Sequence, residues 1–114
     1  MQVLLLIAKT RTNLYLREKT YIIGYRQKTK EIVLESELTS RTIYFENLTD
    51  ANLYLAHAMQ YLPRSFNYNV TIINYATLIE PKWKLWTTPV VTVDISKIPD
   101  YILTLAHKRR KEKE

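Results

Sequence analysis

The sequence predicts an α+β fold: an antiparallel β-sheet laid out as a meander, with two α-helices packed on one face. Three observations predict it. Short stretches with period-2 alternation, rich in β-branched and aromatic residues, recur between Val3 and Glu46. The gaps between most of them are a few residues long, which suits antiparallel neighbours, since a parallel crossover needs a dozen or more residues. Two later segments, Ala51 to Leu62 and Ser96 to Ala106, repeat their apolar residues at helical spacing instead. Helices gathered on one side of an antiparallel sheet bury both kinds of apolar surface.

Val3 to Ala8 is a continuous apolar run and reads as a central strand covered on both faces. Leu14 and Leu16 alternate with Tyr15 and Arg17 in a second strand. Tyr21, Ile23 and Tyr25 alternate with Ile22, Gly24 and Arg26 in a third, where Gly24 marks a bulge or a place where an aromatic neighbour packs over bare backbone. Gln27 to Thr29 is a polar hairpin turn, and Ile32 and Leu34 alternate with Glu31, Val33 and Glu35 in the fourth strand. Glu35 and Glu37 share a face by spacing, as on many solvated strands.

Arg41, Ile43 and Phe45 alternate with Thr42, Tyr44 and Glu46 as a fifth strand, and a helix follows at once. Thr49 is the expected N-cap, its hydroxyl accepting an otherwise unpaired N–H of the first turn, with Asp50 at the positive end of the helix dipole. Leu48 and Leu53 match a hydrophobic staple. Winding at about 100° per residue sets Ala51, Tyr54, Leu55, Ala58, Met59, Tyr61 and Leu62 on one face, opposite Asn52, His57 and Gln60. Pro63 stops the helix because a proline disfavours helical geometry in the residue before it.

Arg64 to Asn69 reads as a loop carrying the aromatics Phe66 and Tyr68, and Val70 to Ile79 as a further strand. Pro81 and Pro89 bracket an edge strand or ordered loop, and Val90 to Asp94 resumes strand character. Ser96 is expected to cap a second helix with Pro99 in its first turn and Ile98, Tyr101, Ile102, Leu105 and Ala106 on one face. Residues 1–107 are thus expected to form a single domain and 108–114 a frayed basic tail.

Composition narrows the chemistry. The 114 residues contain no cysteine, which removes disulfides, thiolate metal sites and cysteine nucleophiles. A single glycine leaves no glycine-rich phosphate loop. The apolar run at the start is too short for a membrane span and has neither a basic leader nor a small-residue cleavage site, so a cytoplasmic protein without membrane contact is expected. The net charge of +6 is segregated: residues 9–30 hold seven Lys or Arg against one Glu, and residues 81–111 seven against two acids, whereas residues 31–50 hold one Arg against five acids. Such a field steers anionic partners, although a solvated basic face would have the same composition.

Catalytic signals are sparse. His57 and His107 are the candidate acid and base of a small metal-independent nuclease, a role that requires the fold to bring them together. Glu80-Pro-Lys82 matches a fragment of metal-dependent nucleases but lacks the upstream acid. No catalytic residue, metal or cofactor is therefore expected. Aromatic and basic residues interleave instead, a pattern that stacks and neutralises single-stranded nucleic acid and that also furnishes protein interfaces. The candidate binding residues are Arg17, Arg26, Lys28, Lys30, Arg64, Phe66, Tyr68, Lys82, Lys84 and Trp86. In a strand at 82–86, Lys82, Lys84 and Trp86 point one way and Trp83 and Leu85 towards the core.

The succession of Thr20-Tyr-Ile-Ile-Gly-Tyr-Arg, Arg41-Thr-Ile-Tyr-Phe and Asp50-Ala51 resembles the layout of small accessory proteins carried by bacteriophages and other mobile elements, over about the first 62 residues. The resemblance implies a non-enzymatic protein that binds and inhibits a host protein or nucleoprotein complex, as anti-CRISPR proteins do. Basic nucleic-acid binding is the alternative, and a small nuclease the third. Oligomeric state stays open at this level.

Overall fold

A computed structural model describes residues 1–10, 19–79 and 92–108. In chain order the strands are β1 (Gln2–Thr10), β2 (Thr20–Arg26), β3 (Glu31–Glu35), β4 (Ile43–Tyr44), β5 (Phe66–Asn74), β6 (Thr92–Asp94) and β7 (His107–Lys108). The helices are α1 (Leu48–Ala58), α2 (Tyr75–Ile79) and α3 (Asp100–Leu103). Five strands form one antiparallel sheet in the order β5-β1-β2-β3-β6, so the fold is α+β. The first three are a meander; β5 then returns to the free edge of β1 and β6 to that of β3.

The apolar run of β1 is covered on both faces, as its composition predicts: Val3 and Leu5 are buried on one side, Leu6 and Ala8 on the other. The larger core joins Leu6, Ile23, Ile32 and Leu34 of the sheet to Tyr54, Leu55 and Ala58 of α1 and to Ile98 and Ile102 near α3. Each fully buried branched aliphatic side chain stabilises the fold by roughly 1.5–3 kcal/mol. The opposite face carries a smaller cluster of Val3, Leu5 and Leu38, against which Ile22, Ile73 and Tyr75 pack.

The segment 41–46 is no regular strand of the sheet. β1 and β2 pair only from Ile7–Ile22 to Lys9–Thr20; beyond that they separate, and residues 41–45 lie between them. Leu4 and Phe45 exchange backbone hydrogen bonds of 2.8 and 2.9 Å, and the Tyr25 N–H donates to the Arg41 carbonyl at 2.9 Å. This explains Gly24, where an added Cβ would collide with that same carbonyl. The pairing with β3 runs through Gly24 without a bulge, and the close neighbour is backbone, not an aromatic side chain.

Four boundaries shift for local reasons. Asn47, not Thr49, caps α1: its side-chain oxygen accepts the Asp50 N–H at 2.8 Å while its amide donates to the Asp50 carboxylate at 2.9 Å. With the cap two residues earlier, Leu48 and Leu53 are exposed and the staple does not form. The helix ends at Ala58, which turns Met59 and Tyr61 outward, while Ala51, Tyr54, Leu55, Ala58 and Leu62 keep the predicted face. The expected loop at 64–69 is largely β5, and that strand ends at Asn74, whose side chain accepts the Ala76 N–H and starts α2.

The second helix is short. Asp94 accepts the Ser96 N–H and closes a single 3-10 turn at 95–97, and Pro99 then precedes the four residues of α3. Ile98 and Ile102 are buried as expected, but Tyr101 is exposed. Lys108, assigned above to a frayed tail, instead pairs with Ile43 in the β4–β7 ribbon. The expected strand at 14–17 and the segment 80–91 lie outside the described residues.

Candidate functional site

A concavity lies where the β2–β3 turn meets the segment after β6. Gln27 to Lys30 form that turn, and Lys30 takes a φ of 53°, the left-handed region that favours glycine or asparagine. Among the described residues it is the only non-glycine with positive φ. Its carbonyl accepts the Ile95 N–H at 2.7 Å, which ties the turn to the 3-10 turn. Between them is a cleft of about 290 Å³. Tyr25, Ile95 and Leu103 make its apolar wall, and Lys30 and Asp100 place opposite charges on its rim beside Gln27 and Ser96.

The rim is electrostatically coherent. Asp94 sits below the usual carboxylate range, because the backbone and hydroxyl of Ser96 donate to it and because Lys97 and Lys30 are near. Arg26 and Lys28 belong to the same hairpin. Three sequence candidates, Arg26, Lys28 and Lys30, are therefore gathered at this end of the sheet.

Others are not. Phe66 pairs with Thr10 at the end of the sheet where β2 begins, roughly 20 Å from Arg26 at about 3.3 Å per residue along β2. Arg64 is exposed at that far end. Phe66 and Tyr68 are half-buried against the main core, so neither is an open stacking platform: Phe66 meets Tyr21 edge to face at 5.8 Å, and the Tyr68 hydroxyl donates to the Pro63 carbonyl. Burial pushes the Tyr68 phenol up to about 12. Arg17, Lys82, Lys84 and Trp86 lie outside the described residues.

Compared with family models, curated proteins and solved structures, the chain matches none.

Each of the two histidines packs against a tyrosine ring. His57 meets the Tyr101 ring at 6.4 Å, and His107 stacks on Tyr44 at 5.2 Å. Among the described residues no group of three or more His, Asp or Glu side chains could hold a metal ion. What the cleft can do is receive a side chain: bury its apolar part on Ile95 and Leu103, pair an anion with Lys30 and bond a donor to Asp100. On the opposite sheet face is a broader groove over Leu5, Ile7, Ile22 and Ile73, where Glu37 is the one charged rim residue among the described residues.

Asp100, Ser96 and Leu103 are not legible as site residues in the sequence, where each reads as part of a longer helix or as its cap. The Asp94-x-Ser96 spacing, an Asx turn ahead of Pro99, was the available signal. The interior pair Glu35 and Arg41 is not legible there either, since both residues read as positions on alternating strands. Glu35 is buried, not solvated, and bonds to Arg41 and Thr39.

Proposed function

We propose that this is a non-enzymatic binding protein whose turn-end cleft receives an anchor side chain of a protein or nucleoprotein partner. The observation that carries the proposal is Lys30. Holding a non-glycine residue in the left-handed region costs roughly 1–2 kcal/mol, and such outliers cluster at functional sites. Here the outlier places a cation on the rim of an apolar cleft. At about 290 Å³ the cleft is at the small end for ligand pockets, which run from about 300 to 1,000 Å³. That size suits one buried side chain of a larger partner, the arrangement of an interface hot spot.

Arg26, Lys28 and Lys97 beside Lys30 favour an acidic partner surface, met faster at low salt. Free nucleic acid is the second reading, supported by the same cations, but it needs exposed aromatic platforms, and Phe66 and Tyr68 face the core. The hairpin, strand and helix layout of the first 62 residues supports the narrower reading of an inhibitor of a host complex.

The test is capture by the immobilised full chain from a cell extract, before and after nuclease digestion. A protein partner retained after digestion is the expected result. Loss of every bound species on digestion would make nucleic acid the ligand and overturn the proposal.

A further inference from the structure

The two edges of the sheet differ. β6 is three residues long and ends on Asp94, and short or charged edges resist pairing with another chain. β5 runs for nine residues, Phe-Asn-Tyr-Asn-Val-Thr-Ile-Ile-Asn, with no charge, proline or glycine. Its register against β1 is unbroken from Gln2–Asn74 to Thr10–Phe66, so no bulge twists the edge away. Among the described residues, none donates or accepts a backbone hydrogen bond at its outer side.

The ladder shows which groups face outward. The Tyr75 N–H donates to the Met1 carbonyl at 2.8 Å, which makes Met1–Tyr75 a hydrogen-bonded pair. Such pairs recur at every second residue of an antiparallel ladder, so Val3–Ile73, Leu5–Thr71 and Ile7–Asn69 follow. The backbone groups of Tyr68, Val70 and Ile72 therefore point away from β1.

We infer that this edge is a self-association site, at which β5 pairs antiparallel with β5 of a second copy about a two-fold axis at Val70. The chain carries +6, and like charges directly opposite one another destabilise a strand pair. An uncharged edge is the place where two identical strands meet without that penalty. Centring the axis on Val70 makes the outward N–H and C=O groups of Val70 bond to their own counterparts, and Tyr68 faces Ile72 of the second copy. Ile72 is 62% exposed in the single chain, and this pairing covers it. A two-fold contact is closed, so it uses up the edge without propagating into a fibre.

The test is sedimentation equilibrium of the full chain over a range of concentrations, with Ile72→Lys and Ile72→Thr alongside, and amide hydrogen exchange of the wild type. A concentration-dependent dimer is expected. Ile72→Lys should raise its dissociation constant by about tenfold or more with unchanged circular dichroism, and Ile72→Thr should affect it less. In the dimer the Tyr68, Val70 and Ile72 amides should become protected, whereas Asn69 and Thr71 are protected by β1 in either state. Three results would overturn the inference: a wild-type monomer at every concentration, whether or not those amides are protected by something else; a dimer indifferent to Ile72→Lys; or a dimer in which the three amides still exchange freely.

Discussion

Arg41 folds its guanidinium back onto Glu35, with Nε 2.9 Å and Nη2 2.6 Å from one carboxylate oxygen, while only 1% of Glu35 and 12% of Arg41 is exposed. The second carboxylate oxygen accepts the Thr39 hydroxyl at 2.7 Å, and Thr39 in turn accepts the Arg41 N–H and donates its own to Thr42. The pair thus clamps the turn between β3 and β4. It also reaches the cleft, since the Arg41 carbonyl accepts the amide of Tyr25, one of the cleft walls.

Arg41→Ala is expected to cost about 3–5 kcal/mol, because it leaves a buried carboxylate without its counter-ion. Removing both charges, Glu35→Leu with Arg41→Met, should cost much less than the sum of the single changes. Urea unfolding of Arg41→Ala, of Glu35→Leu and Arg41→Met singly, and of the double variant checks this. Additive losses would mean that the two charges are not coupled.

Gly24→Ala forces a methyl group against the Arg41 carbonyl, and backbone gives way less readily than a side chain. Overpacking of this kind typically costs about 1–3 kcal/mol. A shift in the unfolding midpoint, with a moved Tyr25 amide resonance, is the expected outcome, whereas Ser36→Ala at an exposed turn position should leave both in place.

Much of this fold is legible in the residues alone, and the exceptions have local causes. The run Val3 to Ala8 and the alternations at 21–26 and 31–35 locate three strands because burial on one or two faces dictates their pattern. The face of α1 is legible for the same reason. The wedge at 41–45 is not, because its alternation is that of a strand while its partners are set by the splay of β1 and β2. Phe66 and Tyr68 look like loop aromatics until β5 is paired with β1, a contact more than fifty residues away in sequence. At the cleft, the basic residues Arg26, Lys28 and Lys30 stand out by charge. The left-handed backbone of Lys30 and the approach of Ile95 and Asp100 are properties of tertiary structure, and composition carries no trace of them.

Three tyrosines should ionise late. Burial raises Tyr44 to about 12, helped by its hydrogen bond to Tyr75, and raises Tyr68 to about 12. Tyr54 is raised as well, by burial first and then by Tyr25, and its hydroxyl is buried without a hydrogen-bond partner. The unfolded phenols lose their protons near 10.0, so above that pH the unfolded state binds fewer protons than the native one. The stability these groups contribute is complete below pH 10 and falls as pH rises towards 12. Denaturant midpoints against pH, read beside phenolate absorbance, should show these tyrosines ionising together with unfolding. Normal titration of all nine in the folded protein would contradict the burial described.

Lys30 allows stability and binding to be separated. Lys30→Gly relieves a left-handed backbone worth roughly 1–2 kcal/mol and adds chain entropy in the unfolded state worth roughly 0.5–1 kcal/mol, so the variant should be as stable as the wild type or slightly more so. The decisive measurement is its affinity for the protein retained from nuclease-treated extract, compared with wild type and Lys30→Glu. The cleft as contact surface requires Lys30→Gly to bind more weakly by about tenfold, equivalent to about 1.4 kcal/mol, and Lys30→Glu more weakly still, with folding intact in both. Wild-type affinity in both variants would show that the partner does not use the cleft.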